Sequence, residues 1–113
     1  TLNGAKILIV GLAYKKNVDD LRESPSFMLW KLFDQKGAKV EYFDPYCPVV
    51  PKLREYAKYV GRKSAIITSN SKYDIIVIAT AHDSVDHNQF IKMAKIVIDT
   101  RNAVKNAKNV VKA

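Results

Sequence analysis

Lys6-Ile7-Leu8-Ile9-Val10, ending at Gly11, is the stretch that decides the fold. The run is continuously apolar and does not alternate, so it reads as a short strand buried on both faces, as in parallel sheets. Asp74 to Ala79 (DIIVIA) and Lys95 to Ile98 (KIVI) repeat the pattern, and Val40 to Phe43 is a further strand stopped by Asp44-Pro45. Ala65-Ile66-Ile67 is a weaker edge candidate. Between these runs lie helical signals. Ser24 can cap a helix that starts at Pro25, carries Phe27, Met28, Trp30, Leu32 and Phe33, and stops at Gly37. Pro51 to Val60 and Val85 to Ala94 read as two more helices, with Ser84 as a cap for the latter.

Strand alternating with helix predicts a Rossmann-like α/β domain of three layers with a parallel sheet of about five strands. Numbered along the chain, with the weak candidate third, the expected order is 3-2-1-4-5. Ligands of such sheets bind beyond the carboxyl ends of the strands, where the winding reverses. The loops after Val10, Ala79 and Ile98 should therefore open on one edge.

The first of these loops, Gly11 to Pro25, lacks the Gly-x-Gly-x-x-Gly that lets a backbone approach a dinucleotide pyrophosphate. Only Gly11 is present, which argues against a complete NAD-binding domain. Asp44 sits where a ribose-binding acid would, but without those glycines Asp44-Pro45 reads as a turn device. The loop does carry Lys15, Lys16 and Arg22, with Asp19, Asp20 and Glu23 able to orient them. It is either an anion site or a solvated, salt-bridged connector. In the loop at Thr80–Ser84, His82 has an open role, and His87 beyond it reads as surface. In Asp99-Thr100-Arg101-Asn102, Arg101 offers a planar fork suited to phosphate, or pairs locally with Asp99.

The chain has 113 residues, one domain's worth, and nearly half are apolar, enough for a packed core. Its net charge of +8 points to anionic partners, although Lys31, Lys52, Lys58 and Lys92 read as solvated surface. No apolar run has the length of a membrane span, and no signal peptide is visible. The single cysteine, Cys47, fits a reducing, cytoplasmic setting and has no base near it in sequence. Two histidines and one cysteine do not make a standard zinc site. No catalytic residue is assigned.

GLAYKKNVDDLRESPS (Gly11 to Ser26) closely resembles the start of the C-terminal domain of the UDP-glucose/GDP-mannose dehydrogenase family. GAKVEYFDPYCP (Gly37 to Pro48), SKYDIIVIATAH (Ser71 to His82) and IVIDTRNAV (Ile96 to Val104) fit the same family in the same order, so the resemblance spans essentially the whole chain. It implies a UDP-binding domain of a cytoplasmic, NAD-dependent UDP-sugar 6-dehydrogenase, an enzyme that oxidises the sugar C6 alcohol to a carboxylate for polysaccharide biosynthesis. The NAD-binding and central domains, and the catalytic cysteine, would lie elsewhere in a larger protein that forms homo-oligomers. The abrupt start at Thr1 agrees with that expectation. Tyr14, Lys15 and Arg101 would line the UDP-sugar site, and Arg22 would reach NAD held by another domain. Tyr14, Lys16 and Asp19-Asp20-Leu21 lean toward the UDP-N-acetylhexosamine branch and so toward UDP-N-acetylglucosamine. The alternative is a free-standing basic module that binds nucleotide or nucleic acid. Strands buried on both faces count against it, since such modules display aromatics and cations on an exposed face.

Overall fold

The computed structural model describes residues 2–13, 24–53 and 55–113. Its sheet has five parallel strands: β1 (Lys6–Val10), β2 (Lys39–Phe43), β3 (Tyr73–Ile78), β4 (Ala94–Asp99) and β5 (Val110–Lys112). Their order is β2-β1-β3-β4-β5. The four strong strands thus stand as the sequence predicts, and the fifth does not. Residues 65–67 contribute one ladder-like bond, from Ala65 N–H to the Tyr42 carbonyl, and Ile66 points into solvent at 91% exposure. The fifth strand is instead Val110–Lys112, on the opposite edge, with Val97 beside Val110 and Asp99 beside Lys112.

The helix α1 (Pro25–Gln35) begins as expected, with the Ser24 hydroxyl accepting from Ser26 N–H and proline at the first helical position. It gives way through Lys36 to Gly37, whose φ of +85° favours glycine. Phe27 and Trp30 of α1 pack on Ile7, Ile9, Val40 and Tyr42, while Met28 and Leu32 face outward. The Trp30 ring stacks on Tyr59 at 4.3 Å between centroids.

The other two predicted helices shrink to single 3-10 segments, Ala57–Tyr59 and His87–Lys92. Tyr56 takes φ of 59°, a left-handed conformation that an α-helix interior does not accommodate, so no continuous α-helix passes through it. In the second segment Asp86, not Ser84, caps by accepting from Asn88 N–H. Phe90 and Met93 there cover the other sheet face with Leu8, Val10, Ile76, Ile78 and Val97. β1 is buried along Ile7–Val10, as its pattern predicts, but β4 is only half covered, with Lys95 and Ile96 exposed. Lys31, Lys52, Lys58 and Lys92 are all exposed, as read from the sequence.

Candidate functional site

Gly11 ends β1 at φ of +92°, and a Cβ there would lie 2.3 Å from the Thr80 carbonyl oxygen. The loop after β1 therefore presses directly against the loop after β3. Every backbone polar group of residues 11–13 is satisfied. Gly11 N–H donates to the Phe43 carbonyl, while the carbonyls of Gly11, Leu12 and Ala13 accept from the hydroxyls of Ser26, Ser24 and Thr80. The N–H groups of Leu12 and Ala13 both donate to Asp44 Oδ2, at 2.8 and 3.0 Å.

Asp44 is thus more than a turn device. Its Oδ1 does accept from Tyr46 N–H, as a turn aspartate would. But the side chain is fully buried, and His82 Nε2 lies 2.9 Å from Oδ1 and 3.0 Å from Oδ2. A carboxylate only accepts, so Nε2 carries the proton. The Tyr46 ring stacks on His82 at 4.4 Å between centroids, the two planes nearly parallel. β1 lies between β2 and β3, so this pair reaches across the end of β1 and joins loops from three strands. Sequence reasoning saw Asp44 and His82 separately and missed their contact.

A cleft of about 540 Å³ opens beyond β3 and β4, lined by residues 80–83, Val85, His87 and 101–103. The expected common edge is therefore real for these two loops. Arg101 stands at its rim, exposed, with Nε donating to the Ala79 carbonyl at 2.8 Å. Its two terminal nitrogens have no partner among the described residues. The predicted link to Asp99 exists, but through the Arg101 backbone N–H instead of the guanidinium. The cleft so keeps, among the described residues, a guanidinium edge anchored at Nε with its terminal nitrogens open, the group that binds phosphate in a bidentate manner. Tyr14, Lys15 and Arg22, the other expected contacts, lie outside the described residues.

His87 is not a surface residue. It is 7% exposed, lines the cleft, and its Nε2 has no hydrogen-bond partner among the described residues. Burial pushes its imidazole below the ordinary histidine value, partly offset by a contact with the Val85 backbone. Asp99, at the end of β4, is buried too. Burial alone would raise its carboxyl, but Lys112 and the N–H groups of Ala103, Val104 and Arg101 outweigh that and hold it down to about 2. Among the described residues no three His, Cys, Asp or Glu side chains converge as metal ligands, and no helix is long and apolar enough to cross a membrane.

Residues 11–13, the described start of the loop after β1, offer a dinucleotide no free amide. The amides of Leu12 and Ala13, which would face a pyrophosphate, are already taken by Asp44, and both residues are fully buried. Among the described residues of this loop, no backbone amide is left free for a pyrophosphate.

Residues 8–106 match the family model described as UDP-glucose/GDP-mannose dehydrogenase family, UDP binding domain. The chain is 32% identical over 102 residues to an NDP-N-acetyl-D-galactosaminuronic acid dehydrogenase of Ralstonia nicotianae, covering 84% of this chain and 22% of that protein. It is 35% identical over 109 residues to a UDP-N-acetyl-D-mannosamine dehydrogenase of Methanococcus maripaludis, covering 89% and 23%. Among solved structures, a UDP-glucose dehydrogenase from Pyrobaculum islandicum superposes with a TM-score of 0.71 at 26% identity, over 98% of this chain and 25% of that one. The chain spans about a quarter of the length of these relatives. It belongs to the UDP-glucose/GDP-mannose dehydrogenase family, and corresponds to that family's UDP-binding domain.

Proposed function

We propose that this chain is the C-terminal UDP-sugar-binding domain of a cytoplasmic, NAD-dependent UDP-sugar 6-dehydrogenase acting in polysaccharide biosynthesis. The observation that carries the reading is Arg101. Its Nε is anchored on the end of β3 and its terminal nitrogens stand at a polar cleft, at the carboxyl edge of a parallel sheet. Tyr14 and Lys15 complete the contact to the diphosphate, and Arg22 reaches NAD held by another domain. NAD binds mainly outside this chain, which agrees with the spent amides of Leu12 and Ala13. The chemistry also lies outside it. Cys47 is buried behind β2 and its backbone carbonyl is tied to the Tyr42 hydroxyl, a setting unsuited to attack on a bound sugar.

The matched relatives act, by their names, on different sugars, so the family alone does not choose one. UDP-N-acetylglucosamine is proposed on the lean of Tyr14, Lys16 and Asp19-Asp20-Leu21. The whole enzyme is proposed to be a homo-oligomer without nucleic-acid or membrane partners. Calorimetry of the chain with UDP and with uridine tests the diphosphate reading. UDP should bind at least about tenfold more tightly, the equivalent of one charge-assisted hydrogen bond or more. Equal affinities would remove the phosphates from the site.

A further inference from the structure

Lys112 lies in β5, the strand that sequence reasoning missed. Its ammonium donates to Asp99 Oδ2 at 2.8 Å, to Asn102 Oδ1 at 3.2 Å and to the Val104 carbonyl. Asp99 faces the same loop from β4. Its Oδ1 accepts from the N–H groups of Arg101 and Ala103, at 3.1 and 3.0 Å, and its Oδ2 from Val104 N–H at 2.9 Å. One carboxylate thus holds three amides of a four-residue turn, and one ammonium ties that carboxylate to two more points on the turn. Asn102 sits at φ of 54° within this turn, a left-handed conformation that asparagine adopts more readily than other non-glycine residues.

Arg101 heads this turn. Its backbone is fixed by Asp99 and its Nε by the Ala79 carbonyl, so the plane of its guanidinium is set from both ends. A planar fork gains from phosphate only when both of its N–H directions are aligned. We infer that Lys112 is a positioning residue for anion recognition: by clamping Asp99 onto residues 101–104 it sets the direction in which Arg101 meets a phosphate. The inference rests on the reading of Arg101 as a phosphate contact.

A rival explanation is that Lys112 merely adds positive charge near the cleft. The two separate at Asp99. If charge alone mattered, Asp99→Asn would remove a negative charge and strengthen anion binding. Positioning demands the opposite, because an asparagine amide nitrogen cannot accept from Val104 N–H and leaves the turn one anchor short.

The test titrates UDP into the wild-type chain and into Lys112→Met, Lys112→Arg, Asp99→Asn and Arg101→Ala variants, with backbone amide NMR spectra of each. Lys112→Met and Asp99→Asn should each weaken UDP binding roughly tenfold, the equivalent of one misaligned charge-assisted hydrogen bond. Lys112→Arg should recover part of that loss. In Lys112→Met the amide resonances of Arg101, Ala103 and Val104 should move while those of β1 stay in place. UDP affinity within twofold of wild type in Lys112→Met, beside a clear loss in Arg101→Ala, overturns the positioning role and leaves the phosphate contact standing. Tighter binding by Asp99→Asn also overturns it. Unchanged affinity in Arg101→Ala, or no binding by the wild-type chain, overturns the phosphate reading and this inference with it. Unmoved amides in Lys112→Met overturn the clamp whatever the ligand does.

Discussion

His82 Nε2 sits between the two carboxylate oxygens of Asp44, at 2.9 and 3.0 Å, with both side chains enclosed by protein. This contact joins the ends of β2 and β3 across β1, and the same carboxylate holds the amides of Leu12 and Ala13. Asp44→Ala would leave those amides and the Tyr46 N–H without this acceptor and would take the carboxylate away from His82 Nε2. Breaking a buried pair from one side costs about 3–5 kcal/mol. A urea denaturation series should show a loss of at least about 3 kcal/mol for Asp44→Ala, a large share of the stability of a domain this size. A loss under about 1 kcal/mol would mean that the pair does not hold the three loops together.

His87 gives the domain a dependence on pH. Burial holds its folded-state pKa below the unfolded value, so on acidification the unfolded chain takes up this proton first. The stability linked to His87 is therefore fully present above about pH 6.5 and declines as pH falls below it. The urea midpoint should drop between pH 7.5 and 5.5, and His87→Gln should flatten that slope. The same slope in His87→Gln would contradict the assignment. Asp99 acts lower down. Its folded value of about 2 means that its contribution is present above the unfolded value near 3.8 and is lost as pH falls through 2.

The chain alone should not turn over. Incubated with UDP-sugars and NAD, it should give no rise in NADH absorbance, because the amides that would cradle the cofactor are occupied and Cys47 is buried. Turnover abolished by Cys47→Ser would overturn that reading. In the whole enzyme, Arg22→Ala should raise KM for NAD while UDP affinity stays nearly unchanged. Untouched NAD kinetics would remove the cross-domain role of Arg22.

The buried strands and the first helix were legible because each is a local pattern. Ile7–Val10 and Asp74–Ile78 announce burial by their composition, and Ser24-Pro25 announces a helix start by capping chemistry. The loops near the site were legible from the winding rule. What was not legible depends on contacts between distant residues. Nothing near Val110-Val111-Lys112 marks a strand, since three residues beside lysines hold no period and their partner lies at Val97–Asp99. Ala65–Ile67 looks better locally, yet gains only one bond to β2. His87 looks polar in sequence but falls against Phe90, at 6.0 Å between ring centroids, and is buried with it. Two of the three predicted cations, Lys15 and Arg22, fall outside the described residues, so the structure bears on Arg101 alone.

Arg101 and Lys15 are proposed to grip a diphosphate at the carboxyl edge of the sheet. The most direct test of this grip is isothermal calorimetry of UDP with the wild-type chain, Arg101→Ala and Lys15→Ala. Each substitution should cost about 1.5–3 kcal/mol of binding free energy, roughly tenfold or more in Kd, with Gly11–Ala13 amide spectra unchanged. UDP affinity equal to wild type in both variants would contradict the account.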